Sequence, residues 1–165
     1  MLYFPPGKGA PRWQVAHGRL FLGIDHSAIS VADTNASTAF YRDALGFKIT
    51  GSGTNTGPTQ AALDAIPNPV VQITGLRPIS ASGPGLEFLQ YIEPGPGRPA
   101  PQGRRQDLAR VRLVVEVDDV AKSLGRLSSR KAQDGARAIP CGRAGFREAA
   151  SVTDPDGHSL LLVDR

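Results

Sequence analysis

The chain has 165 residues, 40% of them hydrophobic, enough to bury a core in one domain or in two small fused modules. Its net charge of +4 comes from 19 basic residues scattered among 15 acidic ones, and only 6% of residues are aromatic. That excludes a nucleic-acid surface made of a basic stripe with stacking rings, and the single cysteine, Cys141, excludes an intrachain disulfide or a cysteine-only metal cage and fits a reducing cytoplasm.

Residues 1–19 read as a Pro/Gly-rich arm without the apolar stretch of about seven or more residues that a signal peptide needs, and nowhere do about eighteen apolar residues run together. No membrane segment is expected. A strand is predicted from Leu20 to Val31, followed by a helix capped at Asp33, with Ala36, Ala39, Phe40 and Ala44 at helical spacing and Gly46 as its end. Phe47 to Thr50 starts another strand. Gly51 to Pro69, rich in Gly, Pro, Thr and Asn, reads as a long connection with one short helix at Gln60 to Ala65. Val70 to Leu76 and Leu86 to Ile92 read as two further strands, completing a first module over 20–92. Residues 93–107, beginning Glu93-Pro94-Gly95-Pro96-Gly97, form a linker that neither helix nor sheet continues through.

The second module, 108–165, repeats the order. Val111 to Val117 is a strand, Asp119 caps a helix closed by Gly135, and Ala136 to Ile139, Phe146 to Val152 and Ser159 to Val163 are strands, with a turn at Asp154-Pro155-Asp156-Gly157. The chain is therefore βαβββ twice, an α+β fold in one compact domain over 20–165. Two such sheets, each with one face covered by its helix, can curve into a cup whose bare faces suit a small molecule. Laying Val31 on Val117 sets His26 against Arg112, and laying Leu86-Glu87-Phe88-Leu89 on Leu160-Leu161-Leu162-Val163 sets Glu87 against Leu161. These four positions are the ones expected to face the cup.

The run Ile24-Asp25-His26, the segment Phe40-Tyr41-Arg42-Asp43-Ala44-Leu45-Gly46-Phe47, the strand Gly85-Leu86-Glu87-Phe88-Leu89 and the ending Asp154-Pro155-Asp156-Gly157-His158 resemble the glyoxalase, bleomycin-resistance and extradiol-dioxygenase superfamily, or vicinal oxygen chelate proteins. The resemblance covers roughly Leu20 to Arg165. It implies paired βαβββ modules, often dimeric, with a divalent metal held by His and Glu at the four positions just named. The metal serves isomerases, lyases, thiol transferases and ring-cleaving dioxygenases, while resistance proteins on the same fold bind an antibiotic without metal or chemistry.

His26 and Glu87 match the implied ligand positions, but a guanidinium and a leucine stand at the other two, and neither ligates a metal. Three readings stay open. Arg112 pairs with Glu87 across a metal-free cup; or a weakly held Fe, Mn, Ni or Zn ion sits on His26 and Glu87 with help from water, substrate, Glu116, Glu148 or Gln72; or His26 and Glu87 are ordinary satisfied polar residues. Among other groups, His158 reads as a hairpin cap, Tyr41 as the flank of its helix and Arg42 as a solvated charge, and neither His17 nor Cys141 has support as a functional group. Phe88, Tyr91 and Phe146 are stacking candidates.

The leading expectation is a cytoplasmic protein, paired as a homodimer, that holds an oxygen-rich or anionic organic molecule between His26, Glu87 and Arg112. As an enzyme it would be a metal-independent isomerase or lyase, with His26 or Glu87 moving a proton and Arg112 offsetting oxyanion charge. The alternatives are a non-catalytic, bleomycin-resistance-like binder and a divalent-metal-dependent lyase or dioxygenase using His26 and Glu87.

Overall fold

The first strand, β1 (His26–Ser30), is shorter than its apolar pattern suggests, beginning where the chain reaches a partner strand. The structure, a computed structural model, describes residues 7, 11–14, 18–19, 21–79, 83–95, 97, 111–127, 137–138 and 145–164. His17, Cys141, the expected helix end at Gly135 and most of the linker lie outside these residues.

Asp33 caps α1 (Thr34–Thr38) as anticipated, its carboxylate accepting the amides of Asn35 at 2.8 Å and Ala36 at 3.4 Å. The helix then continues in π geometry over Ala39–Ala44. A π turn rotates less per residue than an α turn, so the neighbours Phe40 and Tyr41 both reach the interior. Tyr41, expected at the helix flank, is fully buried and meets the rings of Phe40, Phe47 and Phe88 with centroids 5.1, 5.6 and 5.2 Å away. Arg42 stays exposed, as expected, and lies against Asp43. Gly46, with φ +79°, ends the helix in the left-handed region that glycine enters without strain.

The next strand, β2 (Lys48–Asn55), corrects the sequence reading of a long loop from Gly51. Its glycines read locally as breakers, yet β2 pairs antiparallel with β3 (Val70–Arg77) from Lys48 to Asn55, and that ladder overrides the weak strand propensity. A helix, α2 (Gly57–Asp64), connects the two. β3 pairs antiparallel with β4 (Gly85–Glu93), and β4 pairs parallel with β1, giving the order β1-β4-β3-β2.

The second module has β5 (Arg112–Glu116), α3 (Val120–Leu127), β6 (Arg137–Ala138), β7 (Glu148–Thr153) and β8 (Ser159–Val163), in the sheet order β5-β8-β7-β6. The fold is α+β, βαβββ twice. Registers of the two parallel pairs match: Ala28 faces Glu87 in the first sheet, and Val114 faces Leu161 in the second.

One apolar core spans both modules. Phe40, Tyr41, Leu86 and Phe88 from the first join Val115, Val120, Leu127, Val152, Leu160 and Leu162 from the second. No described helix is long and apolar enough to cross a membrane.

Candidate functional site

Strand alternation sorts the residues of the first sheet. Leu86, Phe88, Thr74 and Leu76 point under the helices and are buried, so Glu87 and Leu89, one residue out of step, point to the opposite, open face. His26 shares the parity of Ala28, which stands beside Glu87, and so belongs to that same face. The outcome is a close approach: His26 Nε2 lies 3.7 Å from Glu87 Oε2, each side chain 29% exposed.

Behind His26 stands Asp25, whose Oδ2 lies 2.9 Å from His26 Nδ1. The other oxygen accepts the indole N–H of Trp13 at 3.1 Å and lies 3.7 Å from Arg77 Nη2. The hydrogen bond from His26 holds the Asp25 carboxyl below the usual carboxylate range, with Arg77 and Trp13 adding to it and burial opposing. Ionised, Asp25 only accepts, so the facing Nδ1 carries the proton. In the neutral ring the Nε2 lone pair then points at Glu87.

Glu87 opens onto a concavity of about 370 Å³ lined by Thr50, Gly51, Ser52, Gly53, Asn55, Ile73 and Gly75. Gly51 pairs with Gly75, which pairs with Glu87, so the floor beside the carboxylate is bare backbone. The start of the segment read from sequence as a long connection, Gly51 to Asn55, therefore forms part of the floor itself. Among the described residues, those that line it all come from the first module.

This placement corrects the expected quartet. Glu87 has His26 Nε2 as its neighbour at 3.7 Å, whereas Arg112 Nε donates to Ser159 Oγ at 3.3 Å on its own sheet. Arg112 and Leu161 do occupy the positions equivalent to His26 and Glu87, but they line a different sheet, so the pairing of Arg112 with Glu87 is replaced by two separate contacts. Gln72 belongs to the helix-covered face, opposite Gln90, whose Oε1 accepts the Thr34 amide at 2.9 Å. Phe88, considered as a stacking surface, is wholly buried in the core.

The sequence reading missed a second cluster, where the Asp154 turn meets the first module. Asp154, its side chain fully buried, accepts Tyr41 Oη at 3.0 Å and His158 Nδ1 at 2.8 Å on Oδ2, and the amides of Asp156 and His158 at 3.0 and 2.8 Å on Oδ1. Asp156 accepts the Ala32 amide at 2.8 Å and Ser37 Oγ at 3.0 Å. Burial, then the nearby Asp154 charge, pushes the Tyr41 phenol far above its ordinary value, so it stays a donor. The turn motif is thus a clamp between modules. His158 is part of that clamp.

A family model described as the Glyoxalase/Bleomycin resistance protein/Dioxygenase superfamily matches residues 23–162. The chain belongs to that superfamily. Among solved structures, a glyoxalase family protein from Bacillus cereus is 15% identical with a TM-score of 0.70, covering 87% of this chain and 94% of that one. The trypanothione-dependent glyoxalase I of Leishmania major is 20% identical, with a TM-score of 0.53 and 86% of each chain covered. TnmS3, an antibiotic-binding protein from Streptomyces sp. CB03234, is 19% identical, with a TM-score of 0.52, covering 86% of this chain and 94% of that one. At these identities the likeness is one of fold. No curated protein matches by sequence.

The superfamily implies a divalent metal, and the residues present test that implication. His26 and Glu87 supply two donors, whereas a tightly held divalent ion needs about three or more from the protein. Among the described residues no cluster of three His, Cys, Asp or Glu side chains is arranged to hold a metal ion. Arginine and leucine stand at the two positions that would complete a set of four. This donor set does not fit a resident metal centre.

Proposed function

We propose that the chain binds a small, hydroxyl- or amide-bearing organic molecule in the concavity of the first module, and that His26 and Glu87 move a proton on it, in the manner of an isomerase or lyase. The observation that carries this is the 3.7 Å approach of His26 Nε2 to Glu87 while Nδ1 is tied to Asp25. A proton relay needs a ring that cannot turn away and a free lone pair on the side of its partner, and Asp25, by holding Nδ1, leaves the Nε2 lone pair toward Glu87, which faces the concavity. Glu87 beside it takes up or returns the proton.

The concavity refines the ligand expected from sequence. Among the described residues that line it there is no Lys or Arg, so the Glu87 carboxylate favours a neutral hydrogen-bond donor over an anionic group. Arg112, held at Ser159, has no part in this reading as an oxyanion partner.

The reading is tested by incubating the protein in D2O with a panel of α-hydroxy ketones and following exchange of the hydrogen next to the carbonyl by NMR. Exchange is expected to fall by about 10² or more in Glu87→Gln. A ketone that binds in the concavity, shown by protection of the β2 and β3 amides, yet comes back with its hydrogens unexchanged would replace this reading with one of sequestration. Unchanged exchange in Glu87→Gln would remove that residue from the chemistry.

A further inference from the structure

The superfamily match begins at residue 23, yet a side chain that precedes it touches the site. Pro11–Trp13 forms one turn of 3-10 helix, closed by the Gln14 amide on the Pro11 carbonyl at 2.9 Å. That turn lays the indole of Trp13 against Gly23, where an added Cβ would stand 3.4 and 3.5 Å from two ring carbons at a φ of +146°. The indole N–H then reaches Asp25 Oδ1 at 3.1 Å, and Asp25 Oδ2 meets His26 Nδ1 at 2.9 Å.

We propose that the N-terminal arm is a working part of the site: Trp13 acts through Asp25 as a positioning residue that keeps the His26 proton on Nδ1 and the Nε2 lone pair toward Glu87. A carboxylate turns readily about its last torsion, which is broad and two-fold. The Trp13 N–H and the Arg77 guanidinium both engage Oδ1, so that Oδ2 is the oxygen presented to the imidazole. With one oxygen held from each side, the plane of the carboxylate is fixed and the imidazole is fixed with it. The proposal rests on the reading of His26 as a proton-moving group, but its observable is the state of the ring itself.

The experiment uses the full chain labelled with 15N-histidine, the His26 signals being assigned by their loss in His26→Gln. At a pH where the ring is neutral, the two ring nitrogens report which one bears the proton. Wild type is expected to hold it predominantly on Nδ1. Asp25→Asn should shift the ratio of the two tautomers by about tenfold or more toward Nε2–H, as a charge-assisted bond is lost. Trp13→Phe, which keeps a ring against Gly23 but has no N–H, should shift it by about threefold. Because the chain has one tryptophan, biosynthetic replacement by benzothienylalanine, an isostere without the N–H, gives the same test if Trp13→Phe folds poorly.

A ratio unmoved by the isostere while Asp25→Asn moves it would reduce the arm to packing and overturn the proposal. A wild-type proton on Nε2 would overturn it as well. Since no substrate is present, an intact Nδ1 proton combined with absent exchange on ketones would sink the proton-transfer reading alone.

Discussion

Position for position, His26 and Glu87 of the first module correspond to Arg112 and Leu161 of the second, since each pair holds the same register on its parallel strands. The first pair faces itself across 3.7 Å beside a glycine-floored concavity. In the second, Arg112 turns to Ser159, and the neighbour of Leu161 on β5, Val114, is apolar and 60% exposed. The second module instead contributes the Asp154 turn, which grips Tyr41, Ala32 and Ser37 at the helix of the first. A duplicated unit has thus divided its work: one copy carries the ionisable pair, and the other fixes the helix that backs it.

The division is broken most severely at Asp154. Asp154→Ala leaves a buried phenol, two amides and an imidazole without their acceptor, and is expected to cost about 3–5 kcal/mol in urea denaturation. Tyr41→Phe removes one donor from a carboxylate that keeps three others and should cost about 1 kcal/mol. Equal losses from the two variants would mean that the turn does not act as a shared clamp.

The next effect is on chemistry rather than stability. Glu87→Gln should lower proton exchange by about 10², whereas Arg112→Ala, at an exposed residue whose hydrogen bond spans 3.3 Å, should leave stability within about 0.5 kcal/mol and exchange unchanged. A drop in Arg112→Ala as deep as that in Glu87→Gln would bring the second module back into the site.

Much of this contrast is visible in the sequence. The repeat aligns His26 with Arg112 and Glu87 with Leu161 because the hydrophobic period of two fixes which residues share a face, and the last strand, Ser159–Val163, is read to its exact ends. What escapes is set by tertiary geometry. The glycines of β2 signal a loop until β3 pairs with them. Asp25 adjoins His26, and in a continuous strand neighbours face opposite ways; they meet because β1 starts only at His26. Trp13 gives no periodic signal at all. Tyr41 is misplaced because a regular α turn is assumed where the helix widens.

His158 provides a smaller test of the clamp. The hydrogen bond to Asp154 raises its pKa, aided by the charges of Asp154 and Asp156 and opposed by burial. A group whose folded pKa is raised contributes stability that is complete below its unfolded value of about 6.5 and is lost as pH climbs through the folded value. The stability difference between wild type and His158→Gln should therefore be largest on the acid side of that value and shrink as the pH rises. A difference that grows with pH would show that the neutral ring is the one the clamp prefers.

The smallest effect is expected on the floor of the first module, and it separates folding from binding. A Cβ at Gly51 meets no atom within 4 Å and projects from the same face as Gly75 and Glu87, while one at Gly75 would stand 2.8 Å from Thr50 Oγ1. Glycine within a strand is less stable than alanine by about 0.5–1 kcal/mol, so Gly51→Ala should be neutral or stabilising by about 0.5 kcal/mol. On the proposed reading its methyl group would nonetheless stand where the ligand rests on the backbone, and ketone binding is expected to weaken. Gly75→Ala requires Thr50 to move and should not stabilise. If Gly51→Ala raises the unfolding midpoint and leaves ketone binding at its wild-type strength, the ligand does not rest on this floor, and the concavity beside Glu87 is only its approach.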